Sequence, residues 1–405
     1  MIGGRRAAAE PRLRRAALAT AVVFAVSGFL LASWVSRLPA TRDRLGASAA
    51  ELGLVLLAPG VGSLLSMPFS GRWCRRFGSR RVVGAATVAA CAVLAALATV
   101  PSLVTLGLGL FVWGSFYGSW DVAMNVHGSA VEQRAGREWM PRYHACWSVG
   151  GIAGAGFGAL AAHAGSPLAL HFTVVAVLCA ALVALALRSF IEDRIEPVKA
   201  AGVLGAVRNP RSRRGRVLTG RLLLVGAVTL CATTLEGAAA DWLALFLTDE
   251  RAATASLAAA GYAMFAVAMA AGRFSGTAVA ERLGRDGAVR AGGLVSLAGV
   301  LLTVLGPGLA GAYAGAALWA LGVCLVFPAA VSAGGETPDR PADAIAAVTT
   351  IGYGGFLVGP PLIGLLADQV GLGRALLVLC LLAGGIAALA PAVRSRRPRS
   401  AAVRA

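Results

Sequence analysis

Charge is what this sequence has least of. Only 14% of its 405 residues are charged, against roughly a quarter in a soluble domain. Hydrophobic residues make up 58%, and the mean hydropathy is +0.74. That excludes an ordinary water-soluble fold, because too few polar groups remain to cover the apolar ones. Acidic residues are scarcer still, 19 against 37 basic, for a net charge of +18. In a soluble chain this excess would suggest nucleic acid, but its placement points elsewhere and no nucleic-acid partner is expected. The seven cysteines include no CxxC pair, are odd in number and fall mostly in apolar runs. They read as small core residues rather than disulfides or metal ligands. No phosphate loop, metal cluster or Ser/His/Asp set occurs at usable spacing, so neither an enzyme nor a cofactor is expected.

Long apolar runs are what the chain has instead. A helix needs about 20 apolar residues to cross a bilayer. Runs of that kind stand at 16–35, 51–71, 82–100, 103–126, 146–164 and 168–188, then at 219–246, 256–278, 288–306, 310–331, 344–367 and 372–391. The first follows Arg14 and Arg15 as in a signal peptide. It is longer than a signal's apolar region and further spans follow it, so it reads as a transmembrane helix. With the N-terminus inside, all basic residues but Arg37, Arg42, Arg44, Arg251 and Arg374 fall on the cytoplasmic side. That asymmetry is the positive-inside rule, and it predicts cytoplasmic termini. The expectation is an all-α integral membrane protein of 12 transmembrane helices. It has a tail at 1–15, six-helix bundles at 16–188 and 219–391, a basic linker at 189–218 and a basic tail at 392–405. The linker's Arg208, Arg211, Arg213, Arg214 and Arg216 could meet anionic lipid headgroups or only follow the charge rule.

The bundles read as copies about 205 residues apart. Trp34 matches Trp242, Arg76–Gly78 matches Arg282–Gly284, Pro101 matches Pro307, Trp113 matches Trp319, and Gly150-Gly151 matches Gly354-Gly355. An even number of spans returns each copy to the same side, giving parallel repeats about an axis along the membrane normal.

On these features the chain resembles the major facilitator superfamily over nearly its whole length. The superfamily's loop between spans two and three typically reads G-x-x-x-D-R-x-G-R-R. Here Gly71–Arg81 reads GRWCRRFGSRR, matching at Gly71, Arg76, Gly78, Arg80 and Arg81, with Arg75 where the family has its acid. In the family that carboxylate helps hold the inside gate, so the contact should be absent or replaced here. The second copy, Ala280–Asp286, keeps an acid at Glu281 beside Arg282 and Gly284. The stretches Asp121–Asn125, His144–Gly151 and Glu236–Trp242 are similar to an uncharacterised bacterial subgroup near the fucose-permease branch. The resemblance implies secondary active transport by alternating access.

The stretch with most chemistry is Gly107–Gly128, long enough to span yet carrying Asp121 and Asn125. A carboxylate in hydrocarbon costs several kcal/mol and is usually retained where it faces a cavity or a partner. Trp113, Tyr117, Trp120 and Met124 share one helical stripe, beside Gly114 and Gly118. That stripe would suit stacking on a sugar or another flat ligand, or packing against lipid or another helix. Span seven places Thr229, Thr233 and Glu236 on one face. Asp121 and Glu236 are the proton-coupling candidates, and Trp113, Tyr117, Trp120, Asn125, Thr229 and Thr233 the substrate-cavity candidates. Gate candidates at the cytoplasmic end are Gly71, Arg76, Gly78, Arg80, Glu281, Arg282, Gly284 and His144. Arg273 is expected to snorkel to the interface, with a gate ion pair as the lesser option. The function expected is a multi-pass, monomeric plasma-membrane transporter, proton-coupled, moving a small organic solute such as a sugar or polar metabolite. The alternatives are a proton-driven exporter of a drug or secondary metabolite, and a non-transporting sensor on the same fold.

Overall fold

A computed structural model of the chain describes residues 2–47, 51, 54–193, 219–253, 255–338 and 340–395, with no strand among them. Most of the basic linker, including its arginine cluster, lies outside the described residues. The first half comprises α1 (Ile2–Val35), the short α2 (Leu38–Leu45), α3 (Ala58–Phe77), α4 (Ser79–Leu97), α5 (Leu103–Ala135), α6 (Met140–His163) and α7 (Leu168–Leu187). The second comprises α8 (Gly220–Arg251), α9 (Ala255–Leu283), α10 (Arg285–Leu305), α11 (Gly308–Val323), α12 (Val326–Gly335), α13 (Pro341–Val370), α14 (Leu372–Leu376) and α15 (Val378–Leu389). Eleven helical stretches among the described residues are long and apolar enough to cross a membrane. α11 with α12 forms one of them, and α14 with α15 and the turn to Val393 another.

The expected run at 51–71 departs in its apolar character as well as its bounds. Its helix, α3, starts at Ala58 and runs on to Phe77, and it is not among the eleven. The shift carries Arg72, Arg75 and Arg76 into the helix and lowers its hydropathy. Much of its polar character is turned inward, with Ser63 donating to Gly114 O of α5 at 2.8 Å and Ser70 fully buried.

Apolar packing gives little net drive between helices already in lipid, so association rests on close van der Waals fit. The paired glycines supply it in both halves. A Cβ on Gly150 would run into the backbone of Ala25, where α6 crosses α1. A Cβ on Gly355 would meet Leu230 O at 2.7 Å, where α13 crosses α8. Two apolar cores result, one around Phe24, Trp34, Trp113 and Phe172, the other around Phe246, Trp319, Ile363 and Leu379. The repeated loops share a conformation as well. Gly78 (φ 82, ψ 148) and Gly284 (φ 75, ψ 162) both turn the chain through a region nearly closed to other residues.

The turns α3–α4, α5–α6 and α9–α10 gather at one end of the bundle, the Arg-rich end. At the other end three arginines bond backbone carbonyls at or just past helix ends. Arg37 donates to Ser166 O at 2.7 Å, Arg44 to Val100 O at 2.8 Å and Arg251 to Val304 O at 2.5 Å. Carbonyls left over at a helix end, and the negative pole of its dipole, favour a cation there.

Candidate functional site

Between the two cores lies a cavity of about 540 Å³. It reaches Val35, Leu38, Leu56 and Leu57 away from the Arg-rich end, and ends inward at His144 and Phe327. Both halves line it, so any motion of one half against the other reshapes it.

Asp121 is on its wall, contributed by α5 and 7% exposed. The Tyr353 hydroxyl of α13 lies beside its carboxylate. Asn125, one turn on, donates from Nδ2 to Asp121 O at 2.9 Å and to Oδ1 at 3.4 Å, while Oδ2 has no partner. His144 Nε2 is 3.3 Å from Asn125 Oδ1. Since the amide has spent its N–H groups on Asp121, its oxygen accepts, and His144 must carry the proton on Nε2. Phe24 and Phe327 pack edge-on against the imidazole, at 5.1 and 5.3 Å between ring centroids. His144, expected among the gate residues at the cytoplasmic end, is therefore buried at the cavity floor.

The aromatic stripe divides. Trp113 stacks on Tyr117 at 5.1 Å and both line the cavity. Trp147 of α6 donates from Nε1 to the Tyr117 hydroxyl at 3.3 Å, and Ser27 of α1 donates to it at 3.1 Å. Trp120 is fully buried and faces the protein interior instead. Thr229 and Thr233 also stay out of the cavity wall. Thr229 donates to Val225 O within α8, and Thr233 donates to Gly352 O at 2.5 Å, tying α8 to α13.

Glu236 lines the cavity from α8, opposite Asp121, but is not alone. Arg273 of α9 is 5% exposed and pairs through Nη2 with Glu236. The expectation that Arg273 snorkels is overturned, and the reason lies in α12. Pro328 has no N–H to give the carbonyl four residues back, and the helix breaks at Cys324–Leu325. Arg273 Nε donates to that freed Cys324 O at 3.4 Å, while Nη1 donates to Ser148 Oγ at 2.9 Å. With every arm engaged, the guanidinium remains inside.

At the Arg-rich end the halves meet. Gly71 lets α3 abut the start of α13, where a Cβ would stand 2.7 Å from Ala342 O. One turn further along α3, Arg75 pairs with Asp343 on α13. The acid expected in the first half is thus supplied by the second, with the charges exchanged. Arg285 forms a second clasp, bonding Glu138 of the α5–α6 turn at 2.5 Å and Glu336 at the end of α12 at 2.9 Å. Glu281 takes part through a more exposed pair with Arg137 at 3.2 Å, and Gln133 donates to Gly335 O at 2.6 Å. Gly78 and Gly284 act as turn residues. Arg76, Arg80 and Arg282 are exposed and form no ion pair across the halves among the described residues. Arg76 instead lies 5.3 Å over the Phe77 ring.

Just beyond α7, Asp193 accepts from Ser79 N at 3.1 Å, tying the start of the linker to the N-terminus of α4. Burial pushes its carboxyl up from the ordinary range, with the Ser79 hydrogen bonds opposing.

Sequence reasoning missed Tyr353, Asp343, Glu138, Arg285 and Glu336. Tyr353 carried one faint signal, standing next to Gly354-Gly355 in the repeat. The others sit singly in polar turns, and their pairing depends on how the two halves face each other.

Residues 16–360 match the family model described as the Major Facilitator Superfamily. The chain is 35% identical over 92% of its length to an uncharacterised transporter, y4wD, of Sinorhizobium fredii, covering 96% of that protein. Among solved structures, FucP, a Major Facilitator Superfamily transporter in the outward conformation, superposes with a TM-score of 0.76 at 16% identity. That match covers 94% of this chain and 98% of FucP. The E. coli fucose:proton symporter FucP, in a second structure, gives 0.74 at 17% identity over the same shares. At these identities the likeness is one of fold.

Proposed function

Because the chain belongs to the Major Facilitator Superfamily, we propose that it is a proton-coupled secondary transporter whose halves rock about the central cavity to carry a small organic solute. α3 is the twelfth span, with Ser63 and Ser70 turned inward and Val61, Leu65 and Phe69 on its outer face, and both termini are cytoplasmic in the plasma membrane. The Arg-rich end then faces the cytoplasm, and the structure is the outward-open member of the alternating pair. The observation that carries the reading is Asp121. A carboxylate in a cavity shared by two halves, with one oxygen unpartnered, can take up a proton and release it as the walls change. Glu236, paired with Arg273, holds the second-half wall in place and is the lesser proton site. A solved fold neighbour is named a fucose:proton symporter, and proton coupling on a like fold supports the reading.

The test is uptake into proteoliposomes driven by an imposed pH gradient, with parent, Asp121→Asn and Glu236→Gln proteins. Asp121→Asn should abolish the response to the pH gradient. If Asp121→Asn keeps full coupling, the assignment is wrong.

A further inference from the structure

The cavity wall carries an uncompensated charge. Glu236 is answered by Arg273, whose remaining nitrogens are held by Ser148 and Cys324 O. His144 donates its Nε2–H to Asn125 Oδ1 and is neutral. Asp121 faces only the Tyr353 hydroxyl and the Asn125 amide, with Tyr117 one turn away, and none of these is a cation. Asp121 Oδ2 is left without a partner. The described lining residues therefore sum to one negative charge whenever Asp121 is ionised.

The surroundings of that carboxylate are aromatic and offer few free polar groups. Trp113, Tyr117, Trp147, Tyr353 and Phe356 share the wall. The Tyr117 hydroxyl is taken up by Ser27 and Trp147, and the Ser63 hydroxyl by Gly114 O. A densely hydroxylated ligand would have to give up its water for few replacements. An ammonium group on an apolar body would gain a charge-assisted hydrogen bond and several π faces.

We propose that the site takes a small organic solute bearing one protonated amine, the amine on Asp121 and the body against Trp113, Tyr117 and Trp147. The amine and the coupling proton then compete for one carboxylate. Binding converts the protonated acid and the ammonium solute into an ion pair and a released proton, so the solute exchanges for a proton instead of travelling with it. The exchange rests on the transporter reading above. The amine site itself does not.

The experiment is isothermal titration calorimetry on the purified full-length protein with three probes of one shape: tryptamine, its neutral counterpart tryptophol, and the anion indolepropionate. Tryptamine should bind at millimolar concentration or below, and about tenfold to a hundredfold more tightly than tryptophol, as one charge-assisted hydrogen bond is worth. In acidic medium, where Asp121 holds its proton, varying the buffer's ionisation enthalpy should show about one proton released per tryptamine bound. Asp121→Asn should erase the preference for the amine. Glu236→Gln, which frees Arg273, should let indolepropionate bind, a gain that a misfolded protein cannot show. The proposal is overturned if tryptophol binds as well as tryptamine, if Asp121→Asn keeps the preference, or if tryptamine fails to bind at millimolar concentration. Amine binding without pH-driven flux would keep this site and sink the transporter reading. Proton-coupled flux of a neutral solute with no amine preference would do the reverse.

Discussion

Replacing Arg285 with glutamine takes away the cation that Glu138 and Glu336 share. The Arg285 side chain is 1% exposed, Glu336 5% and Glu138 19%. Removing one partner of a buried ion pair costs about 3–5 kcal/mol, because the other charge stays behind without water. Only part of that bears on gating. Glu336 lies in the same half as Arg285, so the loss of that pair is the same in every conformation, with the Ser395 hydroxyl still 3.0 Å away. Glu138 comes from the other half, and its orphaned charge is relieved once the halves part. Its partial exposure lowers the figure further, to about 2 kcal/mol against the form closed at the Arg-rich end, or about thirtyfold in the ratio of closed to open. The assay is double electron–electron resonance between spin labels on Arg80→Cys and Arg282→Cys, both exposed positions, with the seven native cysteines replaced. Arg285→Gln should transfer population to the longer distance. Arg285→Gln with Glu138→Gln should return most of it, since no cross-half carboxylate is then stranded. An unchanged distribution in the single variant, or equal opening in the double one, would refute the reasoning.

The same labels test the exchanged pair on α3 and α13. Arg75→Asp or Asp343→Arg alone should favour the open form, and the two together should restore closure to within about threefold. The effect will be smaller than at Arg285, because the Arg75 side chain is 34% exposed and such pairs are worth less in water. Packing can be tested with glycines of one helix. Gly150→Ala would drive a methyl into Ala25, whereas Gly156 has nothing within 4 Å of an added Cβ. Thermal unfolding in detergent should show Gly150→Ala destabilised by about 1–3 kcal/mol and Gly156→Ala unchanged. Equal midpoints would mean that α6 can move off α1 at little cost.

Much of this could be read before any coordinates. Asp121 stood out because a single acid in an apolar run has few tolerable reasons to be there, and it does line the cavity. The repeat of Gly150-Gly151 in Gly354-Gly355 marked the duplication, and one glycine of each pair, Gly150 and Gly355, sits at a helix crossing. The stripe on α5 was half legible. Helical periodicity groups Trp113, Tyr117 and Trp120, but a stripe wider than the cavity cannot say which ring faces it. Arg273 was misread because the rule for a basic residue near a helix end assumes that the interface offers it the best partners. Here a proline on another helix had left a carbonyl free inside.

Hydropathy, charge sidedness and the internal repeat are sums over neighbouring residues, so the chain by itself determined its class, eleven apolar spans to within two or three turns, and its membership of a family. Only the tertiary structure decided which charges meet. Arg75 with Asp343, Arg285 with Glu138 and Arg273 with Glu236 join residues from about forty to more than two hundred and sixty positions apart. A charge pair is set by distances of a few ångströms between elements, and nothing in the local sequence records which helix lies across the gap.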